Sequence, residues 1–440
     1  MALELASDVE AQAQGFFLSN YAAEQTPGPQ TQFEWLPQLL SQSNVDETLN
    51  SSVQAVSLAC MGYAVKSSMV MRKARIAYIA ALERINRALQ STDTATKDST
   101  LVSVILLGMY ESTVYTGKNS DALWSKHVNG ACTLFKLRGK RQFQSEVGLQ
   151  IFLQFYSFAM LAALHTDTSV HESMWGLHRS CPTGATYSAL GRAFTLKIVK
   201  ITHDIVNINK DNSSDPVSMV IKAMSIDKEM DEIKEDMPDI WHFETQHLTE
   251  PVRYHHGSVY TIFSYTCLVH PWNYIRMFRL QLHNIIRANI TKGFEEYATS
   301  LFDAETMRLQ MQYSDNVQRA QVAAIVASVP QLVGMVPFPE SSAPRTATPV
   351  SSLHAPGTHL SRSITPGLMH LITPLHSADT YDFVTYDMRQ WIIEVLQFIA
   401  LRIGSSKATV LAEDLLRLQG AAERSQTNNQ ETSNWIMPLM

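Results

Sequence analysis

The sequence predicts an all-α protein, a large multi-helix bundle or array of antiparallel helices, and three observations carry that prediction. Apolar residues recur at steps of three and four over long stretches, the period of a helix face, as in Leu101, Val104, Ile105, Gly108 and Met109. The stretches are punctuated by helix-ending signals: Gly139 after a periodic run, the turn at Pro27–Pro29 and the DNSSDP loop at Asp211–Pro216. No alternation of period two persists and no repeat is visible, so the pattern offers no basis for a sheet. With 440 residues and 45% apolar content, the chain can bury the core of one large domain or of two closely joined halves.

Residues 1–50 read as an entry segment with one or two short helices. Residues 51–336 read as the main helical domain. It opens with two amphipathic helices broken near KSSMVMRK: Val53, Val56, Leu58, Met61, Val65 and Met69 mark one apolar face, and Ile76, Ile79, Leu82, Ile85 and Leu89 the next. After the polar STDTATKDS connector, Asp98 or Ser99 can cap a helix over Leu101–Tyr115 that is apolar nearly all round, and therefore interior. In Asp121–Gly139, the residues Leu123, Trp124, His127, Gly130, Ala131, Leu134, Phe135 and Arg138 share one side. Gly130 and Ala131 there would admit a close neighbour, and Gly139 stops the helix.

A strongly apolar helix follows over 145–167, then one or two helices of which Ala189–Ile208 is the clearer, then a surface helix with a charged face after Pro216. The helix containing Trp272 carries Arg276, Arg279 and Arg287, whose heads are expected to find carboxylates. Phe294–Arg319 reads as a broken polar helix and Val322–Val333 as a buried one. Residues 337–374, rich in Pro, Ser and Thr, read as a mobile loop. Closing helices of the same domain are expected over 375–424, and a frayed tail over 425–440.

Several of these segments together resemble one family. The apolar LVSVILLGMYESTVY helix is followed by WSKHVNGACTLFKLRG. To these add FFLSNY (Phe16–Tyr21), FEWLP (Phe33–Pro37), YIAALERINRAL (Tyr78–Leu89), HPWNYIRMFRLQLHNII (His270–Ile286), IVASVPQLVG (Ile325–Gly334), GLMHLITPL (Gly367–Leu375) and RQWIIEVLQFIALRIGSSKATVLAEDLL (Arg389–Leu416). In this order they resemble the regulatory domain of the fungal binuclear-zinc-cluster transcription factors, over nearly the whole chain. The resemblance implies an all-helical regulatory domain, a nuclear location (with the cytoplasm as the alternative) and control of a fungal secondary-metabolic pathway. It also makes Trp124, His127 and Arg138 signature residues of the fold.

The zinc cluster of that family is missing from this sequence. Its metals need closely spaced Cys-x-x-Cys ligands, whereas Cys60, Cys132, Cys181 and Cys267 stand singly. Cys60 and Cys132 fall on apolar faces and read as buried thiols. The chain begins where the family's regulatory domain usually begins, which leaves no room upstream for a DNA-binding module. A formal charge of -6 adds no general attraction to nucleic acid, so no direct nucleic-acid binding by this chain is expected. The start lacks a secretion signal and no apolar run is long enough to span a membrane, so a soluble intracellular protein with no membrane association is expected.

The polar residues that could form a ligand site are Glu111, Trp124, His127 and Arg138. Each has a structural reading as well. The tryptophan, histidine and arginine can fasten one helix to its neighbours, and Glu111, inside an apolar helix, must be paired or have its pKa raised. Arg138 and Arg276 are the partners expected for it. The His-rich run around His242, His247, His255 and His256 lacks HExxH spacing and reads as a loop, so no metal and no cofactor are expected. Lys136, Arg138, Lys140 and Arg141 form a short basic cluster that suits a helix C-terminus.

Two functions of different class follow. One is a regulator that receives a small-molecule effector and pairs as a homo- or heterodimer with a related regulator. The other is a cofactor-independent biosynthetic enzyme, a cyclase or isomerase such as a pericyclase, whose apolar cavity holds a hydrophobic metabolite in a reactive conformer. A truncated gene model, with the zinc cluster encoded upstream but left out of it, is a third reading.

Overall fold

In the computed structural model, the described residues are 2–22, 33, 35–41, 46–114, 120–165, 172–181, 192–211, 215–233, 235, 237–296, 301–339, 353–361 and 364–434. The turn at Pro27–Pro29, the centre of the Pro/Ser/Thr-rich stretch and the last residues of the tail lie outside them. Helices dominate: α1 (Ala2–Tyr21), α2 (Leu36–Leu40), α3 (Glu47–Ala64), α4 (Ser68–Ala88), α5 (Thr92–Ala95), α6 (Asp98–Val114), α7 (Ser120–Arg138), α8 (Glu146–His165) and α9 (Glu172–Arg179) come first. They are followed by α10 (Arg192–Lys210), α11 (Pro216–Glu232), α12 (Thr266–Glu295), α13 (Ala304–Ala327), α14 (Val329–Leu332), α15 (Met369–Asp379), α16 (Tyr386–Ile403) and α17 (Ser406–Asn434). The fold is all-α, as the periodicity predicts. Among the described residues its only sheet is an antiparallel pair, β1 (Phe243–His247) with β2 (Val259–Phe263), which joins Phe243 to Phe263 and His247 to Val259.

That hairpin is a correction to the reading of the His-rich run as a loop. Its strands are five residues each, and β2 buries three of its five residues, so no clean alternation marks it. The strand is anchored by Gln331, whose amide oxygen accepts from Phe263 N–H (2.8 Å) and whose amide nitrogen donates to Phe263 C=O (3.0 Å).

Local chemistry explains the boundaries. Asp46 caps α3 by accepting from Thr48 N–H, and Ser67 caps α4 by accepting from Val70 N–H. Lys66, at φ 51°, turns the chain between them. One buried cluster runs from Ala13 to Leu415, so the first and last helices share a core. At its seam, Tyr21 Oη donates to Ile403 C=O (2.9 Å). Next to it Gly404, at φ +68°, ends α16 against the Cys60 carbonyl, where a Cβ would collide.

The expected core face of α4 is wrong at every residue but Ile85. Its buried side is Val70, Ala74, Ala77, Ala81 and Ile85, whereas Ile76 is 70% exposed and Ile79 57%. The alanines let α4 lie close on α3, and close packing outweighs side-chain size in choosing the buried face. Gly130 in turn is exposed, and a Cβ placed there would come no nearer than 4.0 Å to Val104 Cγ1, so the close approach expected at Gly130 is not made there, whereas Ala131 is buried. The stretch 337–374 ends in ordered structure, a short 3-10 helix at Thr365–Leu368 and the first half of α15. α17 runs on through the segment read as a frayed tail, to Asn434.

Candidate functional site

α6 and α7 form an antiparallel hairpin, and that register decides which polar residues meet. Glu111, only 7% exposed, lies with its Oε2 3.0 Å from His127 Nε2, and its Oε1 accepts from Tyr78 Oη on α4 (2.5 Å). Burial pushes its pKa up. The hydrogen bonds from His127 and Tyr78, with the positive charge nearby, outweigh burial and hold the carboxyl below its usual range. Tyr78 also stacks on Tyr110 with centroids 4.4 Å apart.

The expected pairing of Glu111 with Arg138 or Arg276 is therefore incorrect. Arg138 lies at the other end of the hairpin and pairs with Asp98 (2.5 Å), roughly 20 Å along α6 from Glu111 at about 1.5 Å per residue. Of the predicted ligand-site residues, the fold brings Glu111 and His127 together and sets Arg138 apart. The side chain of Trp124 lies outside the described residues.

α12 carries a second set. Its N-terminal half holds Arg276, 4% exposed, whose only side-chain hydrogen-bond partner among the described residues is Asn273 Oδ1 (2.7 Å). The guanidinium lies over the rings of Phe243 (5.6 Å) and Phe263 (6.0 Å). Burial without a carboxylate lowers its pKa to about 9. His270 of the same half and His370 of α15 pack with centroids 3.9 Å apart, and His270 Nδ1 has no hydrogen-bond partner among the described residues. Burial lowers both pKa values, that of His370 to about 4.

The C-terminal half of α12 behaves differently. Arg279 donates to Asp227 (2.6 Å) and Asp231 (2.7 Å) of α11, and Tyr313 Oη donates to Asp227 (3.0 Å). His283 Nε2 sits 3.2 Å from the same carboxylate, too poorly aligned for a hydrogen bond, while its Nδ1 meets Ser314 Oγ (3.0 Å). Burial would raise the Asp227 pKa, but His283 and Arg279 overcome it and hold the group at about 2. Sequence reasoning placed Asp227 on a solvated face. The signal it missed is that this aspartate falls among Met219, Val220, Ala223, Ile226 and Met230, all buried.

A cleft of about 310 Å³ opens between α16 and the loop after α14, lined by Tyr254, Val333, Met335, Pro356, Trp391, Glu394, Val395 and Phe398. Its volume is at the lower end of small-molecule sites. One wall is fixed because Trp391 Nε1 donates to Tyr254 C=O (2.9 Å). The other is a strap in which Gly357 N–H donates to Val333 C=O (2.7 Å), His359 N–H to Gly334 C=O (2.8 Å) and His354 N–H to Met335 C=O (3.0 Å). Gly334, at φ +71°, lets that strap come down, since a Cβ would strike the Leu360 backbone. Glu394 is the sole charged side chain among the lining residues. The cleft was not foreseen, because its walls are distant in sequence.

Among the described residues no group of three or more His, Cys, Asp or Glu side chains is placed to hold a metal ion. None of their helices is long and apolar enough to cross a membrane. Cys60 and Cys132 are buried, as their positions on apolar faces predict, and burial pushes both thiols up to about 12.

The class defined by this architecture is a helical domain with one continuous core and an aromatic cleft at its C-terminal side. Residues 14–296 match the fungal specific transcription factor domain, and the chain belongs to that family. It is 25% identical over 169 residues to an uncharacterized protein of Emericella nidulans, an alignment that covers 36% of this chain and 36% of that protein. The chain thus spans about a third of that relative's length. No solved structure matches it.

Proposed function

We propose that this chain is the effector-receiving regulatory part of a nuclear transcription regulator for a fungal secondary-metabolic pathway, and that the effector binds in the Trp391 cleft. Family membership supports the regulatory reading. The observation that carries the effector reading is the cleft itself, lined by the rings of Tyr254, Trp391 and Phe398 with a single carboxylate, Glu394. Such a lining suits an apolar or aromatic metabolite that brings one hydrogen-bond donor or amine, because rings cover the body and the carboxylate orients the polar end. By contrast, Glu111 and His127 already satisfy each other, which supports a fastening role for them.

The test is a thermal-shift screen of the full chain against apolar amines and hydroxylated metabolites, followed by a reporter driven by the chain fused to an unrelated DNA-binding domain. A ligand that binds only the folded state raises Tm by a few degrees at about 100 times Kd. The Trp391→Ala variant should lose that shift, and the reporter should lose its response with it. A ligand that binds equally well to Trp391→Ala places the effector elsewhere. A ligand converted to product instead of merely bound would support a catalyst on this scaffold in place of a regulator.

A further inference from the structure

α4 presents an apolar stripe that no other described residue covers. Its inner face is made of small residues, while Met69 (54% exposed), Ile76 (70%), Ile79 (57%) and Leu82 (37%) point outward. Arg72, Glu83 and Asn86 are exposed on the same outer face. Met69, Arg72, Ile76, Ile79, Glu83 and Asn86 succeed one another at steps of three and four, the seam of a two-helix contact. Among the described residues neither Arg72 nor Glu83 is paired with an opposite charge. A contiguous exposed apolar patch with unspent charges at its ends marks an interaction surface.

We infer that two copies of this chain associate through α4, antiparallel across a two-fold axis, with Ile76 of one copy against Ile79 of the other. The pattern itself selects this occupant. In that register Arg72 of each copy faces Glu83 of the other and Met69 faces Asn86, so two ion pairs flank a centre of four isoleucines. The stems of Lys73 lie against Leu82, and no cation opposes a cation. Sliding one helix by a heptad in either direction puts Ile76 against Arg72, or Ile79 against Glu83, and buries a charge against an apolar group. A parallel pair would set Arg72 against Arg72 and Glu83 against Glu83. An isologous contact closes on itself, so association stops at the dimer. This inference stands whether or not the Trp391 cleft binds an effector.

Light scattering after size exclusion and sedimentation equilibrium, on the purified full chain, test it. The wild type should have twice the chain mass of 49.3 kDa. Arg72→Glu and Glu83→Arg should each weaken association at least about tenfold, because each sets two like-charge pairs at the seam. Mixed in equal amounts, these two variants should recover the dimer, since the heterodimer has the native ion pair at one end and the same pair with its charges exchanged at the other. Ile76→Glu should remain monomeric in every mixture while its far-ultraviolet circular dichroism matches the wild type. A wild type that stays monomeric up to its solubility limit overturns the inference and assigns the stripe to a different partner. So does a dimer indifferent to Ile76→Glu, or a mixture that fails to recover.

Discussion

The two halves of α12 bury charge in opposite ways. After Phe278, Arg279 is matched by two aspartates and a tyrosine hydroxyl completes the set. Before it, Arg276 is buried with an amide and two ring faces and, among the described residues, no carboxylate, and burial lowers the pKa values of the His270–His370 pair in the same half. The first arrangement ties α11, α12 and α13 together, and its charges depend on one another. The second tolerates polar groups only in their least charged form. An ion-pair network resists loss of a member badly, whereas a solitary buried cation contributes little that an apolar chain of similar shape would not.

The largest test of this contrast is Asp227→Ala. It leaves the partly buried Arg279 short of one partner and removes the group next to His283, and breaking such a buried pair costs about 3–5 kcal/mol. Urea denaturation at pH 7 should show that loss, and a loss below about 1 kcal/mol would mean the network behaves as a surface one.

pH separates the two halves next. His370 has a folded pKa of about 4 against an ordinary 6.5, so the unfolded chain binds its proton first on acidification. The stability it contributes is complete above pH 6.5 and declines as pH falls towards 4. Over that interval the loss is on the order of 3 kcal/mol, since each pH unit between the two values carries about 1.4 kcal/mol. Asp227 has the opposite kind of group and the same sign of slope in a lower window, since its contribution is intact above its ordinary value of 3.8 and is lost as pH falls towards 2. Acid titration of stability should therefore fall in two steps. His270 shares the upper step because burial lowers its pKa too, so His370→Gln should shrink that step, the His270→Gln/His370→Gln pair should shrink it further, and the lower step should stay; an upper step unchanged in both would break the distinction.

Arg276→Met measures the contrast from the other side. The thioether can lie over Phe243 and Phe263 much as the guanidinium does, and only the bond to Asn273 is lost, so the cost should stay under about 1.5 kcal/mol. Arg279→Met, which strands Asp227, should cost clearly more in the same denaturation assay.

How much of this was legible follows from what a helical period encodes. α6 was recognised as interior because it is apolar on every side, and Leu101, Val102 and Leu106 are indeed fully buried. Gly139 stops α7, and the SVPQL run locks onto α12 and β2, through Ser328 with Asn273 (3.0 Å) and Gln331 with Phe263. A period does not say which of two faces turns inward. On α4 the larger apolar residues suggested one face and the small ones took it, because contact distance to α3 depends on a neighbour not visible in α4's own sequence. The same limit hid the partner of Glu111. The residue types were right, but pairing is set by the hairpin register, which joins Asp98 to Arg138 and Glu111 to His127. The Trp391 cleft was the least legible, as its walls come from four separate segments.

The smallest effect separates α6–α7 from both halves of α12. Glu111 is paired like Asp227, yet its partners are a histidine and a tyrosine instead of an arginine, so less charge is at stake. Glu111→Gln keeps an oxygen to accept from Tyr78 and gives up the charged contact with His127. The expected cost is about 1 kcal/mol, below that of Asp227→Ala, because a neutral acceptor still fills the position. The sign with pH follows from the folded pKa lying below 4.5: the carboxylate's contribution is whole above that value and is lost as pH falls through the folded one. Wild type and Glu111→Gln should thus converge in stability in acid and diverge towards neutrality. If the two curves stay parallel down to the acid limit, the charge of Glu111 does not fasten the hairpin, and the pair it makes with His127 becomes available to a ligand.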